Sequence, residues 1–251
     1  MFLACDFGNS KIKAALFSGN NIVDSFIFQD TEELKSLYSE KNILHTGISS
    51  VVPEKSQKFK QFLDSSLYDY YEISGNSKLD FKISYKTPET LGMDRICSAA
   101  GAYFLNGKLN KDEVLVSIDF GTATTINVIL YPGEFLGGII GPGILLMSES
   151  LHSKTSQLPK VTITDYKSII GTSTKESIAS GLLNYTLGVI EKVISFIEKE
   201  YLTKEIKLFL TGGNAGVIIP FLTMEFIFEK NLVLYGIKRV TELNSTGQNK
   251  L

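Results

Sequence analysis

The sequence predicts an α/β fold made of two similarly built halves, each with a mixed β-sheet. Three observations lead there. The stretch VLVSID-FGTATT-INVIL at 114–130 repeats a pattern already present at the N-terminus, where an apolar run ends in DFGNS at 6–10 and resumes as KIKAALF at 11–17. Both copies read as strand, tight turn, strand, and they stand more than a hundred residues apart. Strand-like and helix-like segments alternate around each copy, which is the signature of an α/β layer structure. The hairpin that opens each half excludes a purely parallel sheet.

The elements follow in order. After the first hairpin come a helix near 31–40, a strand at 43–51 (ILHTGISSV), a helix near 53–65 and a strand near 80–85. From Asp94 to about Leu105, the apolar residues Ile96, Ala99, Ala100, Tyr103 and Phe104 recur at helical spacing. The polar, glycine-containing run NGKLNKDE at 106–113 reads as the link between halves, giving domains at 1–112 and 113–251. The second half continues with a glycine-rich stretch, LGGIIGPGILL at 136–146, and a helix near 143–154. A long helix over 174–199 is expected to bury Ile178, Leu182, Tyr185, Val189 and Val193, and Ser173 with Glu176 forms a capping-box pattern at its start. The strand IKLFL at 206–210 runs into Thr211-Gly212-Gly213, and the polar tail after about Glu242 is expected to fray.

With 251 residues, 43% of them hydrophobic, the chain can bury a core in each of two domains. A net charge of −2 without a basic block argues against nucleic acid as the main partner. Two cysteines without metal-ligand spacing, Cys5 and Cys97, fit a reducing compartment. Asp6 interrupts the N-terminal apolar run, so no signal peptide is read, and no apolar run is long enough to span a bilayer. The expectation is a cytoplasmic protein with no membrane partner.

The paired Asp-Phe-Gly turns carry the first chemistry. A strand ending in Asp and followed by Gly exposes backbone N–H groups, which together with the Asn9, Ser10 and Thr122 side chains can cradle phosphate oxygens. The carboxylates of Asp6 and Asp119 would repel bare phosphate, so a cation is expected between them and a nucleotide. Taken singly, each turn is also what ordinary hairpin closure requires; two copies in matching contexts favour the phosphate reading. The glycines at 137–138, 141, 143 and 212–213 either line a site or permit close packing. Asp94 beside Arg95 at a helix start reads either as an N-cap with a surface charge, or as a general base with a carboxylate clamp. His45 and His152 have no partner spacing and read as structural or surface residues; Tyr85 is the aromatic residue that stands out, just before the Asp94 segment.

In sum these segments resemble the type III pantothenate kinases, from Asp6 to Gly213. The motifs are DFGNS at 6–10, YKTPETLGMDR at 85–95, DFGTATT at 119–125, GGIIGPG at 137–143, LHSKTSQLP at 151–159, GTSTKESIASG at 171–181 and TGG at 211–213. Each motif is weak alone; seven in order are specific. The resemblance implies two ribonuclease H-like (actin-like ATPase) halves of the sugar-kinase/actin/Hsp70-like superfamily, with ATP in a cleft between them. It implies phosphorylation of pantothenate to 4'-phosphopantothenate, the first step towards coenzyme A, by a homodimer. It further implies that Asp6, Phe7, Gly8, Asn9, Ser10, Lys11, Ile12, Lys13 and Thr122 contact ATP, which arrives with Mg²⁺. Asp119 corresponds to the ligand of a monovalent cation, K⁺ or NH₄⁺. Tyr85, Gly92, Met93, Asp94, Arg95 and Thr174 correspond to the pantothenate site, with Asp94 as proton acceptor and Thr174 contributed from the partner subunit. Ser10 stands where Thr is commoner, Asn127 where Asp is frequent, and the chain is short for the family. The competing readings are a sugar or acetate kinase of the same superfamily, which leaves the 85–95 segment unexplained, and a non-enzymatic regulatory homologue.

Overall fold

The computed structural model describes residues 1–202 and 205–245. The chain divides into two compact units. The first opens with β1 (Phe2–Phe7), β2 (Ile12–Ser18) and β3 (Asn21–Phe28), followed by α1 (Thr31–Glu40), β4 (His45–Ser50), α2 (Pro53–Ser65) and β5 (Tyr70–Glu72). All six residues of β1 are buried, as expected for a strand with neighbours on both sides and cover on both faces. The sheet order is β3-β2-β1-β4-β5, with β1, β2 and β3 antiparallel and β1, β4 and β5 parallel. Asp30 starts α1 by accepting the Glu32 and Glu33 backbone N–H groups at 2.9 and 3.2 Å, and Pro53 begins α2 where a missing N–H does no harm. Their apolar faces close a core around Leu3, Phe7, Leu16, Leu34, Ile48 and Phe59. The unit continues through β6 (Lys82–Ile83), shorter than the strand expected near 80–85, and α3 (Met93–Asn106), which ends at Gly107 with φ of +76°.

The second unit comprises Leu109–Tyr131 and Gly137–Lys230. It contains β7 (Glu113–Phe120), β8 (Ala123–Leu130), most of β9 (Glu134–Pro142), α4 (Ile144–Lys154), α5 (Thr174–Glu200), β10 (Glu205–Thr211), the single turn α6 (Ala215–Ile218) and β11 (Ile227–Phe228). Strand β7 is antiparallel to β8 and parallel to β10, and β10 is parallel to β11. The order β9-β8-β7-β10-β11 therefore repeats that of the first sheet, strand for strand. The duplication read from the two Asp-Phe-Gly turns is a duplication of whole sheets.

Three features depart from the sequence reading. The glycine-rich stretch at 136–146 is largely strand β9; its residues 134–136 belong to the first unit, where Lys82 and Ile83 of β6 pair with Glu134 and Phe135. A final helix, α7 (Leu232–Asn244), unread in the sequence, belongs to the first unit although it follows the second in the chain. It packs on α3 so tightly that a Cβ on Gly236 would overlap the Cys97 carbonyl, and one on Gly101 would overlap that of Leu232. The polar tail expected to fray after Glu242 is helical to Asn244, and residues 246–251 lie outside the described residues. Finally, α5 buries Ala179, Leu182, Leu183, Thr186, Ile190 and Ile197. Tyr185 and Val189, expected inside, are 73% and 43% exposed. The helix is apolar on more than one face, so periodicity alone does not select the face that meets the sheet.

Candidate active site

The first unit holds Asp6, the following turn and the Asp94 segment. Asp6 lies opposite Ser49 in the parallel β1–β4 register, and both are buried. The Ser49 hydroxyl donates to Asp6 Oδ1 at 3.4 Å. Beyond Phe7 the chain turns, with the Gly8 N–H donating to the Lys11 carbonyl at 3.2 Å, so that Asn9, Ser10 and Lys11 are exposed. Ile12 is back in the core and Lys13 is half-buried. The Phe7 carbonyl is held by the Val51 N–H at 3.1 Å, and Lys55 Nζ reaches the Asn9 carbonyl at 3.1 Å.

Asp94 is not the N-cap of α3. That position is Gly92, which offers no side chain, and Asp94 sits in the first helical turn with Oδ1 accepting the Arg95 N–H at 2.8 Å. A Cβ on Gly92 would stand 2.5 Å from the same oxygen, so glycine leaves the carboxylate its place. Met93 is half-buried beside it. Arg95 is 4% exposed, its guanidinium carbon 5.8 Å from the Tyr85 ring and 6.0 Å from Phe135. The surface-charge reading of Arg95 is therefore excluded.

Cys97, one turn into α3, ties the two parts together. Burial pushes its thiol well above the ordinary value, the Asp6 charge adds to this, a Ser49 hydrogen bond opposes it, and the Asp94 charge raises it again. The charges of Asp6, at a strand end, and Asp94, at a helix start, thus both act on one buried thiol. Burial, then Asp6, likewise raises the Cys5 thiol. Both cysteines stay protonated and act as packing groups rather than nucleophiles.

The second unit holds Asp119, Thr122 and Thr174. Its turn repeats the first in outline but is one residue shorter: Phe120 pairs with Thr124 where Phe7 pairs with Ile12, and the Gly121 N–H donates to the Ala123 carbonyl at 3.1 Å. Asp119 lies opposite a hydroxyl residue, Thr211, in the β7–β10 register. The Phe120 carbonyl accepts a backbone N–H from Asn214, just beyond the parallel neighbour, at 2.9 Å, as Phe7 does from Val51. The Asn214 side chain also donates to the Gly121 carbonyl at 3.0 Å. Gly212 has φ of +101°, and a Cβ there would overlap Asp119 Oδ1 and the Phe120 backbone. Thr122 is exposed, and its carbonyl accepts the Gly143 N–H at 2.9 Å, which fixes the start of α4.

Helix α4 and the N-terminal part of α5 line an open groove of about 1090 Å³ that contains Thr174. Leu146, Leu151, Leu158 and Tyr185 make its walls largely apolar. Ser173 caps α5 by accepting the Glu176 N–H at 3.3 Å. The other half of the expected capping box goes elsewhere: the Glu176 carboxylate accepts the N–H and hydroxyl of Thr172, which hold its pKa below the usual value.

For a monovalent cation, the residues at Asp119 are chemically suited. One carboxylate, with Oδ1 buried, stands beside a turn of backbone oxygens and hydroxyls, a hard-oxygen set. Among the described residues no group of three His, Cys, Asp or Glu side chains is built for a transition metal.

A family model described as Type III pantothenate kinase matches residues 2–195. The chain belongs to the type III pantothenate kinase family. It is 34% identical to a type III pantothenate kinase from Sulfurihydrogenibium sp. (strain YO3AOP1), covering 94% of this chain and 98% of the relative. It is 36% identical to one from Azobacteroides pseudotrichonymphae genomovar. CFP2, covering 96% of each. Among solved structures, one from Campylobacter jejuni, named a Baf family transcriptional activator, aligns with a TM-score of 0.62 at 20% identity over 96% of this chain and 98% of its own. That likeness concerns the fold alone, a mixed α/β architecture with two sheets.

Two residues that touch the candidate site residues of this pantothenate kinase were not read from the sequence. Ser49 was legible only as a polar residue inside an apolar strand, and its partner Asp6 is 43 positions away. Phe135 stands 40 positions from Arg95 in a glycine-rich stretch, and nothing local marks it.

Proposed function

We propose that this pantothenate kinase transfers the γ-phosphoryl group of ATP to the primary alcohol of pantothenate, with Asp94 as proton acceptor. The observation that carries the reading is the start of α3, where Gly92 takes the cap position, the Asp94 carboxylate sits in the first turn and Arg95 is buried against Tyr85. The turn after Phe7, with Asn9, Ser10 and Lys11 exposed, binds ATP phosphates, and the exposed Thr122 is likewise assigned to ATP. Tyr85, Gly92, Met93 and Arg95 form the pantothenate pocket, Arg95 taking the substrate carboxylate bidentately. Asp94 orients the alcohol and accepts its proton as the O–P bond forms; in so loose a transition state orientation matters as much as basicity. Bound Mg²⁺ and a monovalent cation, the latter at Asp119, neutralise phosphate charge.

The working form is a cytoplasmic homodimer. Supporting this, Ile139, Ile140, Leu145, Leu146 and Ile170 are exposed in the second unit together with Tyr185 and Val189, an apolar surface of the kind that marks an interface. Thr174, at the groove among them, is the residue given to the partner's substrate. Among the described residues no helix is long and apolar enough to cross a membrane.

The test is ADP release with ATP–Mg²⁺, with and without pantothenate, in potassium or in buffer free of sodium, potassium and ammonium. Pantothenate-dependent release that needs the monovalent ion is expected. Release driven by a sugar or acetate but not by pantothenate would overturn the substrate assignment, and full activity without the ion would overturn the cation.

A further inference from the structure

We infer that Phe135 is a positioning residue for substrate recognition: with Tyr85 it forms an aromatic corner that aims the Arg95 guanidinium. The inference rests on Arg95 being the anchor for the pantothenate carboxylate. The Tyr85 and Phe135 ring centroids lie 6.4 Å apart with their planes 65° to each other, so the two rings meet as adjoining walls. The Arg95 guanidinium carbon lies 5.8 Å from one ring and 6.0 Å from the other. A flat, weakly hydrated cation is attracted to aromatic faces through the ring quadrupole. That attraction uses no N–H group, so the rings do not compete with an oxygen acceptor such as a carboxylate for the guanidinium's donors.

The corner is itself anchored. Phe135 is fully buried and packs against Phe81 with centroids 6.2 Å apart. Its carbonyl accepts the Ser84 N–H at 2.9 Å, and the neighbouring Glu134 carboxylate accepts the Ser84 hydroxyl at 2.6 Å. The β6–β9 pairing thus fixes Phe135 and the residue immediately before Tyr85 in one register. Arg95 leaves the first turn of α3 from the other side and is held along two directions. Binding a carboxylate then requires little further ordering of a side chain that is otherwise rich in rotamers. The alternative role of Phe135 is bulk in the core, and that role would not distinguish one substrate from another.

The experiment compares Phe135→Leu, Phe135→Tyr, Arg95→Ala and the Phe135→Leu/Arg95→Ala double variant. Each is assayed with pantothenate and with the analogue in which a hydroxymethyl group replaces the carboxylate. Phe135→Leu is expected to raise KM for pantothenate about tenfold, from loss of one desolvated cation–π contact. Its kcat and its KM for ATP should stay within about twofold, and KM for the neutral analogue should not move. Phe135→Tyr keeps the ring and should restore the wild-type KM. The double variant should be no worse than Arg95→Ala alone, because the ring acts through the arginine. Phe135→Met, close in volume but without a π face, gives the same readout should the leucine variant not fold. Unchanged KM in the Leu or Met variant, or an equal rise for the charged and neutral substrates, overturns the positioning role. If Arg95→Ala itself leaves KM for pantothenate unchanged, the anchor reading fails first; if only the Phe135 variants are silent, the corner alone fails.

Discussion

Replacing Gly212 by alanine probes the second phosphate turn directly. The backbone there has φ of +101°, where an L-residue is strained by about 1–3 kcal/mol. The added Cβ would also stand 2.6 Å from the Phe120 carbonyl carbon and overlap the Asp119 carboxylate. These contacts include backbone atoms of β7, paired in register with β10, so no side-chain rotation relieves them. Displacing them adds about 1–3 kcal/mol, the range for overpacking a filled site. A total of about 2–6 kcal/mol lowers Tm by about 4–24 °C at this size. Gly213 is the internal control: its φ lies outside the left-handed region and no atom lies within 4 Å of its Cβ. Gly213→Ala should shift Tm by less than about 2 °C, since such surface changes are worth about 0.5 kcal/mol. The assay is thermal unfolding of both variants beside KM for ATP, which should rise for Gly212→Ala as the Asp119 turn is pushed from its place. Matching Tm values for the two variants, or a wild-type ATP KM in Gly212→Ala, would mean that the Asp119 turn accepts a Cβ at position 212.

Asp94→Asn should lower kcat about 10²–10⁴-fold while Tm and ATP binding stay near wild type; a variant with normal kcat and lower Tm would make Asp94 a structural helix-start residue. Asp119→Asn should blunt the rise of activity on potassium titration and weaken ATP use more than pantothenate use; an unaltered potassium curve would remove Asp119 from cation binding. Light scattering should give twice the 27.7 kDa chain mass, with Tyr185→Glu/Val189→Glu shifting the population to monomer; an active wild-type monomer would end the dimer proposal. Glu113 accepts the backbone and side-chain N–H groups of Asn110, both at 2.8 Å, with Lys207 at 3.9 Å, and these hold its pKa below its ordinary 4.5. A depressed carboxylate stabilises the fold above its unfolded pKa and loses that contribution as pH falls through the lower folded value. Acid unfolding curves of Glu113→Gln should therefore be flatter below about pH 4.5 than those of wild type, and superimposable curves would refute it.

Local turn chemistry was what the sequence disclosed best. The Asp-Phe-Gly turns are read from consecutive residues, and the sheets beneath them match because the same chain pattern pairs the same way. The partners of those turns were hidden. Ser49 and Thr211 face Asp6 and Asp119 only through strand register, which depends on chain closure over 43 and 92 positions. The face of α5 was misjudged because Tyr185 and Val189 lie on an apolar stripe as regular as the buried one. The N-cap alternative for Asp94 was removed by a residue without a side chain: Gly92 takes the cap, and the Asp94 carboxylate turns to the Arg95 N–H. Glu176 bonds Thr172 rather than completing the box with Ser173, a choice between neighbouring donors that a four-residue pattern does not encode.

The return of α7 to the first unit has a consequence for biosynthesis. Helix α3, whose first turn carries Asp94, meets α7 through the glycine pair Gly101 and Gly236, and the second unit is encoded between them. As the chain leaves the ribosome, the N-terminal 108 residues emerge first but lack their closing helix until the codons for 232–244 have been translated. The inserted unit has all its strands by then and can finish ahead of the unit that began earlier. A stop codon shortly before Leu232 would thus spare the later-encoded unit and strand the earlier one, leaving the apolar side of α3 open to chaperones and proteases.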